Sequence, residues 1–442
     1  MQMNKSKLGI TIDQITVNDL PPQLRPFYRN SPAAIRMMNV TTALVCWMAN
    51  ATRLRVKYCF DMWLSMLAVN VLCIAPSGAG KSIVRWIVNM LMEPLKLRDA
   101  EERRREQEYS DKRNKKAKDQ ELPDEPLSVV RYMQSITVPK LVKRADFMAR
   151  RYGAPLTFFI YTDELATMCT GSRQSREEYS AVARTAYQKG EVYIRETLYQ
   201  EGYNAAVDVN WCSVMCGQDY ALDKYIDKGG IMMGDAGRQI LFRLDSLGDD
   251  AYIVKPFSDE ERRLVNATTQ RLMDETYTPD DRLQPQHEVD MSWLTRDVQS
   301  WCHEQAVEVS KNGSRAQDSF YKRASVSAFR MATMMYYLWG EDRKAQKHVR
   351  RCYFAYANYI LETLMKQWGR KYEQLIPKTE EATAERPSLY DQLPQRFTRD
   401  QLREMILKLE LSAPARVFIH KWLSRKFIYK VEDETDVYEK IY

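Results

Sequence analysis

An octapeptide at residues 75–82, APSGAGKS, has the residue types needed to hold a chain of phosphates. Phosphate oxygens are bound by backbone N–H groups that converge from a loop with little side-chain bulk, at the positive end of a helix dipole. Gly78 and Gly80 would let the backbone curl around the phosphates. Lys81 would reach the β and γ phosphates, and the Ser82 hydroxyl would bind magnesium. The nucleotide-binding residues predicted from this pattern are Pro76, Ser77, Gly78, Ala79, Gly80, Lys81, Ser82 and Ile83.

The flanking sequence decides whether this octapeptide is more than a glycine-rich turn. An apolar run of buried-strand type, NVLCIA, precedes it, and IVRWIVNMLMEPL follows with helical period. Strand, loop and helix in that order are the context that a phosphate-binding loop requires. Ala75 replaces the first glycine of the usual G-x-x-x-x-G-K-[ST] pattern, a small departure if the residue has an ordinary negative φ.

A second element, TFFIYTDE, is an apolar strand that ends in adjacent carboxylates. Asp163 could hold a magnesium ion with its water shell, and Glu164 could polarise a water molecule for attack on the γ phosphate. A strand that ends in two carboxylates is usually a surface turn. In combination with the loop at 75–82, it predicts an enzyme that hydrolyses ATP with Mg²⁺.

Two further polar residues fit such an enzyme. Gln218 follows the strand NWCSVMCG, where it could sense the γ phosphate or form hydrogen bonds within the fold. Arg238, in GDAGRQILF, could reach the ATP of a neighbouring subunit as an arginine finger, or pair with an acidic neighbour. Arg243 is the nearby alternative. Arg323 or Arg330 could read the nucleotide state within the same subunit.

Alternating apolar strands and amphipathic helices predict an α/β fold with a mostly parallel sheet. The expected fold class is a P-loop NTPase core of AAA+ or RecA-like type. Further strands are predicted at 128–132, 156–162, 209–216 and 238–245. The expected domains are 1–60, an N-terminal helical collar; 61–256, the core with a charged, solvated helical projection at 93–120; 257–375, a helical domain; 376–390, a linker; and 391–442, a winged helix.

The winged-helix prediction comes from the order helix, turn, helix, hairpin near the end of the chain. Thr398 and Gln401 have capping-box spacing at the start of the first helix. The second helix is basic, and such a helix meets DNA in this module. The candidate DNA-binding residues are Arg416, His420, Lys421, Arg425 and Lys426. The acidic turn at 432–436 would repel phosphate, so a protein-docking role stays open.

Composition adds limits on the protein's class. The net charge of +7 permits a polyanionic partner but is weak evidence over 442 residues. The eight cysteines show no C-x-x-C pair, which argues against a zinc site or a disulfide framework and fits reduced thiols in a cytoplasm. No secretory signal or apolar run of membrane-spanning length is evident, so we expect a soluble cytoplasmic protein without membrane contact.

Taken together in their order, these motifs resemble the helicase-type P-loop ATPases of bacterial phages and integrated mobile elements, a family often fused to primases. The resemblance runs from about Leu20 to Leu338. It is carried by LPPQLRPFYRN, NVLCIAPSGAGKS, ITVPKLVK, FFIYTDELATM, the polar Gln218, GDAGRQILF and YKRASVSAFRMA. Two positions depart slightly from the family. Ala75 replaces a glycine that is common in P-loops, and Gln239 stands where family members often have Phe or Leu beside the arginine.

This resemblance implies ATP-driven DNA handling during replication of a mobile element, with assembly of a homo-oligomeric ring, most commonly a hexamer. It assigns the roles given above to Lys81, Ser82, Asp163, Glu164 and Arg238. The roughly 60 residues before the core are too few for a primase domain, so we expect any primase or recombination partner to be a separate protein.

Two other functions stay open at this stage. The first is a nucleotide-switched DNA-binding scaffold that recruits a recombinase, nuclease or primase without unwinding. The second, weaker because no acceptor site is evident, is a small-molecule phosphotransferase.

Overall fold

The computed structural model describes residues 9–115, 124–169, 172–188, 192–195, 204–244, 254–376, 389–408, 414–424, 427–431 and 436–441. The chain forms two compact units, Met1–Leu375 and Ile376–Tyr442. Each unit has its own hydrophobic core. Among the described residues, no helix is both long enough and apolar enough to cross a membrane.

The strands of the first unit are β1 (Leu54–Lys57), β2 (Leu64–Ser65), β3 (Asn70–Ile74), β4 (Tyr132–Met133), β5 (Thr157–Thr162), β6 (Val192–Arg195), β7 (Ala205–Asp208), β8 (Asn210–Gly217), β9 (Gln239–Arg243) and β10 (His287–Glu288). Five of them form one sheet in the order β4-β5-β8-β3-β9. All four pairings in this sheet are parallel. The predicted α/β fold with a parallel sheet is therefore confirmed.

The helices of the first unit are α1 (Arg25–Arg29), α2 (Arg36–Asn50), α3 (Ser82–Asn114), α4 (Val138–Tyr152), α5 (Arg173–Tyr187), α6 (Asp219–Tyr225), α7 (Lys228–Met233), α8 (Asp259–Asp274), α9 (Thr295–Asn312), α10 (Arg315–Leu338), α11 (Gln346–Leu364) and α12 (Arg370–Leu375). A π-helical turn at Met365–Gly369 joins the last two. Every residue of α2 after Arg36 is buried. The segments 1–60, 61–256 and 257–375 share a single hydrophobic core.

Three central strands, β3, β5 and β8, are buried along their whole length. Continuous apolar runs such as these suit a parallel sheet, because helices cover both of its faces. The strand predicted at 128–132 is shorter in the structure and comprises only Tyr132–Met133. The reason is that carboxylates of α3 bind the preceding backbone: Glu102 accepts from the Val129 N–H, and Asp99 accepts from the Arg131 N–H.

Helix α3 has 33 residues and spans about 50 Å. Its first half buries Val84, Ile87, Val88, Leu91 and Leu95 against the core. Its second half is the predicted charged projection, of which residues 116–120 lie outside the described residues. The expectation of a solvated helix is wrong for Asp99 and Glu102, which are buried because they bind backbone N–H groups before β4.

The second unit contains the helices α13 (Leu389–Gln392), α14 (Arg399–Lys408) and α15 (Ala415–Ser424) and the strands β11 (Arg396–Thr398), β12 (Ile428–Lys430) and β13 (Val437–Lys440). The strands form an antiparallel sheet in the order β11-β13-β12. The predicted capping box is present: the Thr398 N–H donates to Gln401 Oε1 at 2.8 Å, and the Gln401 N–H donates to Thr398 Oγ1 at 3.2 Å. Phe397, Leu402 and Trp422 fill the core of this unit.

Asp99 supplies a prediction about pH. Burial raises the pKa of Asp99 to about 6 from an ordinary value of 3.8, although hydrogen bonds from the Tyr132 and Arg131 N–H groups oppose the rise. A carboxyl whose pKa is higher in the folded than in the unfolded state stabilises the folded state fully at pH values below the unfolded pKa. For Asp99, this stabilisation is lost as the pH rises through about 6. Asp99→Asn keeps an acceptor without the charge. We therefore expect the variant to gain stability relative to the wild type between pH 4 and pH 7, by up to about 3 kcal/mol.

Urea unfolding of both proteins across this pH range measures the difference. Asp111→Asn, on an exposed part of the same helix, is the matched control. A difference between Asp99→Asn and the wild type that does not change with pH would contradict the assignment.

Candidate functional site

The loop at 75–82 connects the end of β3 directly to the start of α3. Gly78 and Gly80 have φ angles of +81° and +75°, in the left-handed region that glycine adopts without a steric penalty. No other atom lies within 4 Å of a Cβ added at Gly78, so the backbone conformation alone calls for glycine there. Ala75 does not have a positive φ. Alanine at this position therefore causes no backbone strain, as the sequence predicts.

Lys81 closes this loop. Its ammonium group donates to the Ala75 carbonyl at 2.9 Å and to the Gly217 carbonyl at 3.2 Å. The Ala75 N–H also donates to the Gly217 carbonyl, at 3.0 Å. These bonds place the positive charge of Lys81 at the carboxyl edge of the sheet, over the ends of β3 and β8. Ser82, the first residue of α3, is exposed beside it.

The register of the sheet brings the two predicted motifs to the same edge. Ile74 pairs with Gly217, and Thr162 pairs with Met215, so β3, β8 and β5 end within two residues of one another. Asp163 and Glu164 follow β5 directly. Because only β8 separates β3 from β5, the phosphate-type loop and the carboxylates lie about 10 Å apart, two strand spacings. A gap of this size can hold a phosphate group and a cation.

An ion pair crosses this gap. Arg85, in the first turn of α3, binds the Asp163 carboxylate, and both side chains are about half exposed. Residues three apart share one face of a helix, so Ser82 and Arg85 lie on the same side of α3. The face of α3 that carries Ser82 and Arg85 is therefore turned toward Asp163 across the gap, so the two predicted magnesium ligands, Ser82 and Asp163, border the gap from opposite sides. The sequence analysis missed Arg85, which its helical spacing from Ser82 could have indicated.

Hydrogen bonds from two threonine hydroxyls fix the position of the Glu164 backbone. The Thr162 and Thr167 hydroxyls donate to the Glu164 carbonyl at 3.0 and 2.8 Å. The next residue, Leu165, is fully buried and packs on Gly217, where an added Cβ would lie 2.5 Å from the Leu165 Cβ. Gly217 thus lets the residues after Glu164 approach β8. The sequence signal was a glycine at the end of an otherwise apolar strand.

Gln218 follows β8 and lies next to the carbonyl that Lys81 binds. It is half-buried at the start of α6. Arg243 lies at the same edge, because it pairs with Ile74 at the end of β3. Its guanidinium donates to Asp219 Oδ1 at 2.6 Å and to Gln367 Oε1 at 2.7 Å. Lys81, Gln218 and Arg243 are therefore brought together with the loop.

Arg238 lies at the opposite edge of the sheet. It precedes Gln239, which pairs with Asn70 at the start of β3. Its side chain is buried and donates to the Gly234 carbonyl at 2.8 Å. Burial, together with the charge of Arg323, lowers the pKa of Arg238 to about 10. An arginine finger must project from the surface, so this packing does not favour the role predicted for Arg238.

The alternative arginines of the helical segment are also distant from the loop. Arg330 is buried and donates to the carbonyls of Ala68, before β3, and Tyr187. Arg323 packs beside Gly237, before β9. Both positions are at the amino edge of the sheet. This packing does not favour the role of reading the nucleotide state within the same subunit that was predicted for Arg323 or Arg330.

In the second unit, Arg416 and His420 are exposed one turn apart on α15. The Lys421 side chain and the residues Arg425 and Lys426 lie outside the described residues. Val417 and Leu423 are exposed on the same helix. This surface is part basic and part apolar, so DNA contact and protein docking both remain predictions.

The oxygen ligands at the gap suit magnesium. Among the described residues, no group of three or more His, Cys, Asp or Glu side chains could hold a metal ion. Magnesium commonly uses one or two protein oxygens together with substrate phosphates and water. Ser82 and Asp163 supply oxygen atoms of that type at the two borders of the gap.

Comparisons with protein-family models and with curated proteins find no significant match to this chain.

Gly217 provides a stability prediction at this site. Gly217→Ala would force Leu165 away from β8, at a cost of about 1–3 kcal/mol for overpacking. We expect lower urea stability together with faster amide hydrogen exchange at residues 163–169, because these residues must move. Gly153→Ala, at φ +66° with no atom within 4 Å of its added Cβ, is the control for backbone strain alone. Unchanged exchange at 163–169 in Gly217→Ala would rule out this positioning role.

Proposed function

We propose that the chain is a P-loop ATPase that hydrolyses ATP with Mg²⁺ and acts on DNA. The observation that carries the proposal is the convergence of the glycine loop and the Asp163–Glu164 pair at one edge of a parallel sheet. A glycine loop or a pair of carboxylates is common by itself. Their juxtaposition across one strand is what phosphoryl transfer from a nucleotide requires.

Each residue would have a distinct task. The backbone N–H groups of 76–83 would bind the phosphates at the start of α3, and Lys81 would exchange its carbonyl partners for the β and γ phosphates. Ser82 and Asp163 would hold Mg²⁺, which when bound would neutralise phosphate charge. The ion pair between Asp163 and Arg85 must then break at least in part. Glu164 would accept the proton of the attacking water, and Gln218 would contact the γ phosphate.

The DNA part of the proposal depends on the resemblance to mobile-element helicases and on the second unit. The helices α14 and α15, followed by the β12–β13 hairpin, have the order of a winged helix, and α15 presents Arg416 and His420 to solvent. We propose a helicase, translocase or replication-initiation ATPase of a phage or mobile element. It would work as a homo-oligomeric ring, with a hexamer the first size to test, and with any primase or recombinase as a separate partner.

A second candidate function is a nucleotide-switched scaffold that recruits a recombinase, nuclease or primase without unwinding DNA. Two observations favour it. Arg238 is buried, so the residue predicted to act on a neighbour is engaged within its own chain. Val417 and Leu423 are exposed on α15, which suits a protein partner.

Substitution of Glu164 tests hydrolysis. We expect Glu164→Gln to lower ATP turnover by about 10²-fold or more while retaining nucleotide affinity, because it removes the base but no phosphate contact. Lys81→Ala should weaken nucleotide binding itself. Phosphate release, with and without single-stranded and duplex DNA, and fluorescent nucleotide titration measure the two effects. Glu93→Gln and Lys112→Ala, both exposed on α3, are matched controls. A wild type that neither binds nor hydrolyses ATP would refute the proposal.

Assembly separates the motor from the switch. In a ring motor, each ATP site is completed by a residue of the neighbouring subunit. ATP turnover per chain should therefore rise over the range of protein concentration in which light scattering shows assembly. DNA should stimulate turnover further. Turnover that is independent of concentration and indifferent to DNA would favour the switch.

A further inference from the structure

A cavity of about 1030 Å³ lies beside Asp163, between α3, the end of β4 and the start of α4. Its charged lining consists of Arg85, Lys96, Arg103, Lys140, Arg144 and the single carboxylate Asp163. We call this cavity the cationic groove. The phosphate-type loop at 75–82 does not line it. The cationic groove is therefore adjacent to the proposed nucleotide site, and the two share Asp163.

Part of this positive charge is balanced within the protein. Arg144 forms two hydrogen bonds with the Glu106 carboxylate, at 3.1 and 3.2 Å, and Lys140 lies 3.8 Å from the same group. Arg85 is paired with Asp163. These two carboxylates therefore face three of the five cations.

Lys96 and Arg103 have no ion pair with the described residues. Lys96 donates to Asn89 Oδ1 at 2.7 Å, and Arg103 donates to the Tyr132 carbonyl at 2.9 Å. The hydrogen-bond acceptors are neutral, and the carboxylates of Glu93 and Asp99 interact with Lys96 and Arg103 only beyond ion-pair distance and do not line the cationic groove. The cationic groove therefore has an excess of positive charge.

The cations of the groove lie close enough together to disfavour one another's charged forms when no anion is bound. Burial, followed by the charge of Arg144, lowers the pKa of the Lys140 ammonium. Burial likewise lowers the pKa of Lys96. An anion bound in the cationic groove would offset both effects.

The backbone contributes further donors. Helix α4 has 15 residues, and its N-cap Thr137 and first-turn residue Lys140 both line the cationic groove. The Thr137 side chain makes no capping hydrogen bond. Pro139 in the first turn has no N–H, so the N–H groups of Val138 and Lys140 are the first-turn donors that would bind phosphate oxygens at the positive end of the helix dipole. The helix thus adds to the side-chain charge at the same wall.

The spacing of the cations indicates the shape of the ligand. Lys96 and Arg103 are seven residues apart on α3, which corresponds to about 10 Å, and Arg85 to Arg103 corresponds to about 27 Å. A row of this length suits an extended polyanion better than a compact phosphate group. We propose that the cationic groove binds the phosphate backbone of single-stranded nucleic acid.

The groove also explains why one strand is the better fit. A concave cavity admits a single backbone, whereas a duplex presents its phosphates on a broad convex surface. The Tyr132 ring packs on Phe159 and lies under the Lys96 ammonium, 4.5 Å from its centroid. Because this ring is engaged, contacts to phosphate would dominate over base stacking, and binding would be independent of sequence.

The inference takes nucleic acid as the polyanion from the proposed function, but it does not require hydrolysis. Its consequence for that function concerns Asp163. Asp163 lines the cationic groove, where the nucleic-acid strand would bind, and it is also a ligand in the proposed magnesium site. Its ion-pair partner Arg85 lines the cationic groove as well. Strand binding and nucleotide binding would therefore meet at one ion pair.

The test compares two double variants of the full chain. Lys96→Gln/Lys140→Gln removes two charges from the cationic groove, whereas Arg104→Gln/Lys112→Gln removes two exposed charges elsewhere on α3. Anisotropy of a labelled oligothymidine is measured at several salt concentrations, with urea unfolding to confirm equal folding. We expect the groove variant to bind at least tenfold more weakly. Its salt slope should fall by about 1.4, because each lost phosphate contact on a single strand contributes about 0.7.

Equal affinities and slopes for the two variants would overturn the inference. So would loss of tripolyphosphate binding in the groove variant with oligothymidine binding intact, since the ligand would then be a small polyphosphate. ATP hydrolysis is assayed in parallel. A wild type that binds the strand through the cationic groove but hydrolyses no ATP would refute the proposed function and support the groove. Normal hydrolysis with groove-independent strand binding would do the reverse.

Discussion

The parallel pairing of β8 with both β3 and β5 is the constraint on which the candidate site depends. It brings the ends of three strands to one edge, and it sets the distance between the glycine loop and the carboxylates at two strand spacings. Gly217 at the end of β8 takes part twice: its carbonyl accepts from Lys81, and its missing side chain leaves room for Leu165. A shift of β8 by one residue would disturb every contact across the gap.

Helix α3 connects this edge to the rest of the first unit. It starts at Ser82, presents Arg85 to Asp163 and continues past β4, where Asp99 and Glu102 bind backbone N–H groups. The same helix lines the cationic groove with Lys96 and Arg103. One helix therefore borders the proposed nucleotide, magnesium and strand sites.

Much of the fold and site was predictable because the signals are local. The glycines at 78 and 80 and the run TFFIYTDE encode a loop and a strand end within a few residues. Arg238, Arg323 and Arg330 were not predictable, because an arginine's role depends on which surface it reaches. All three lie at the amino edge of the sheet, where Arg238 and Arg330 are buried on backbone carbonyls.

The sequence by itself determined the five strands of the central sheet, the parallel character of that sheet and the residue types at the candidate site, since these follow from hydrophobic period and turn chemistry. Only the tertiary structure decided that Arg85 pairs with Asp163, that Asp99 is buried and that five cations line one groove. These contacts join residues far apart in the chain or on a helix face whose neighbours no local pattern specifies. These contacts are determined by long-range packing, which no local pattern in a single sequence indicates.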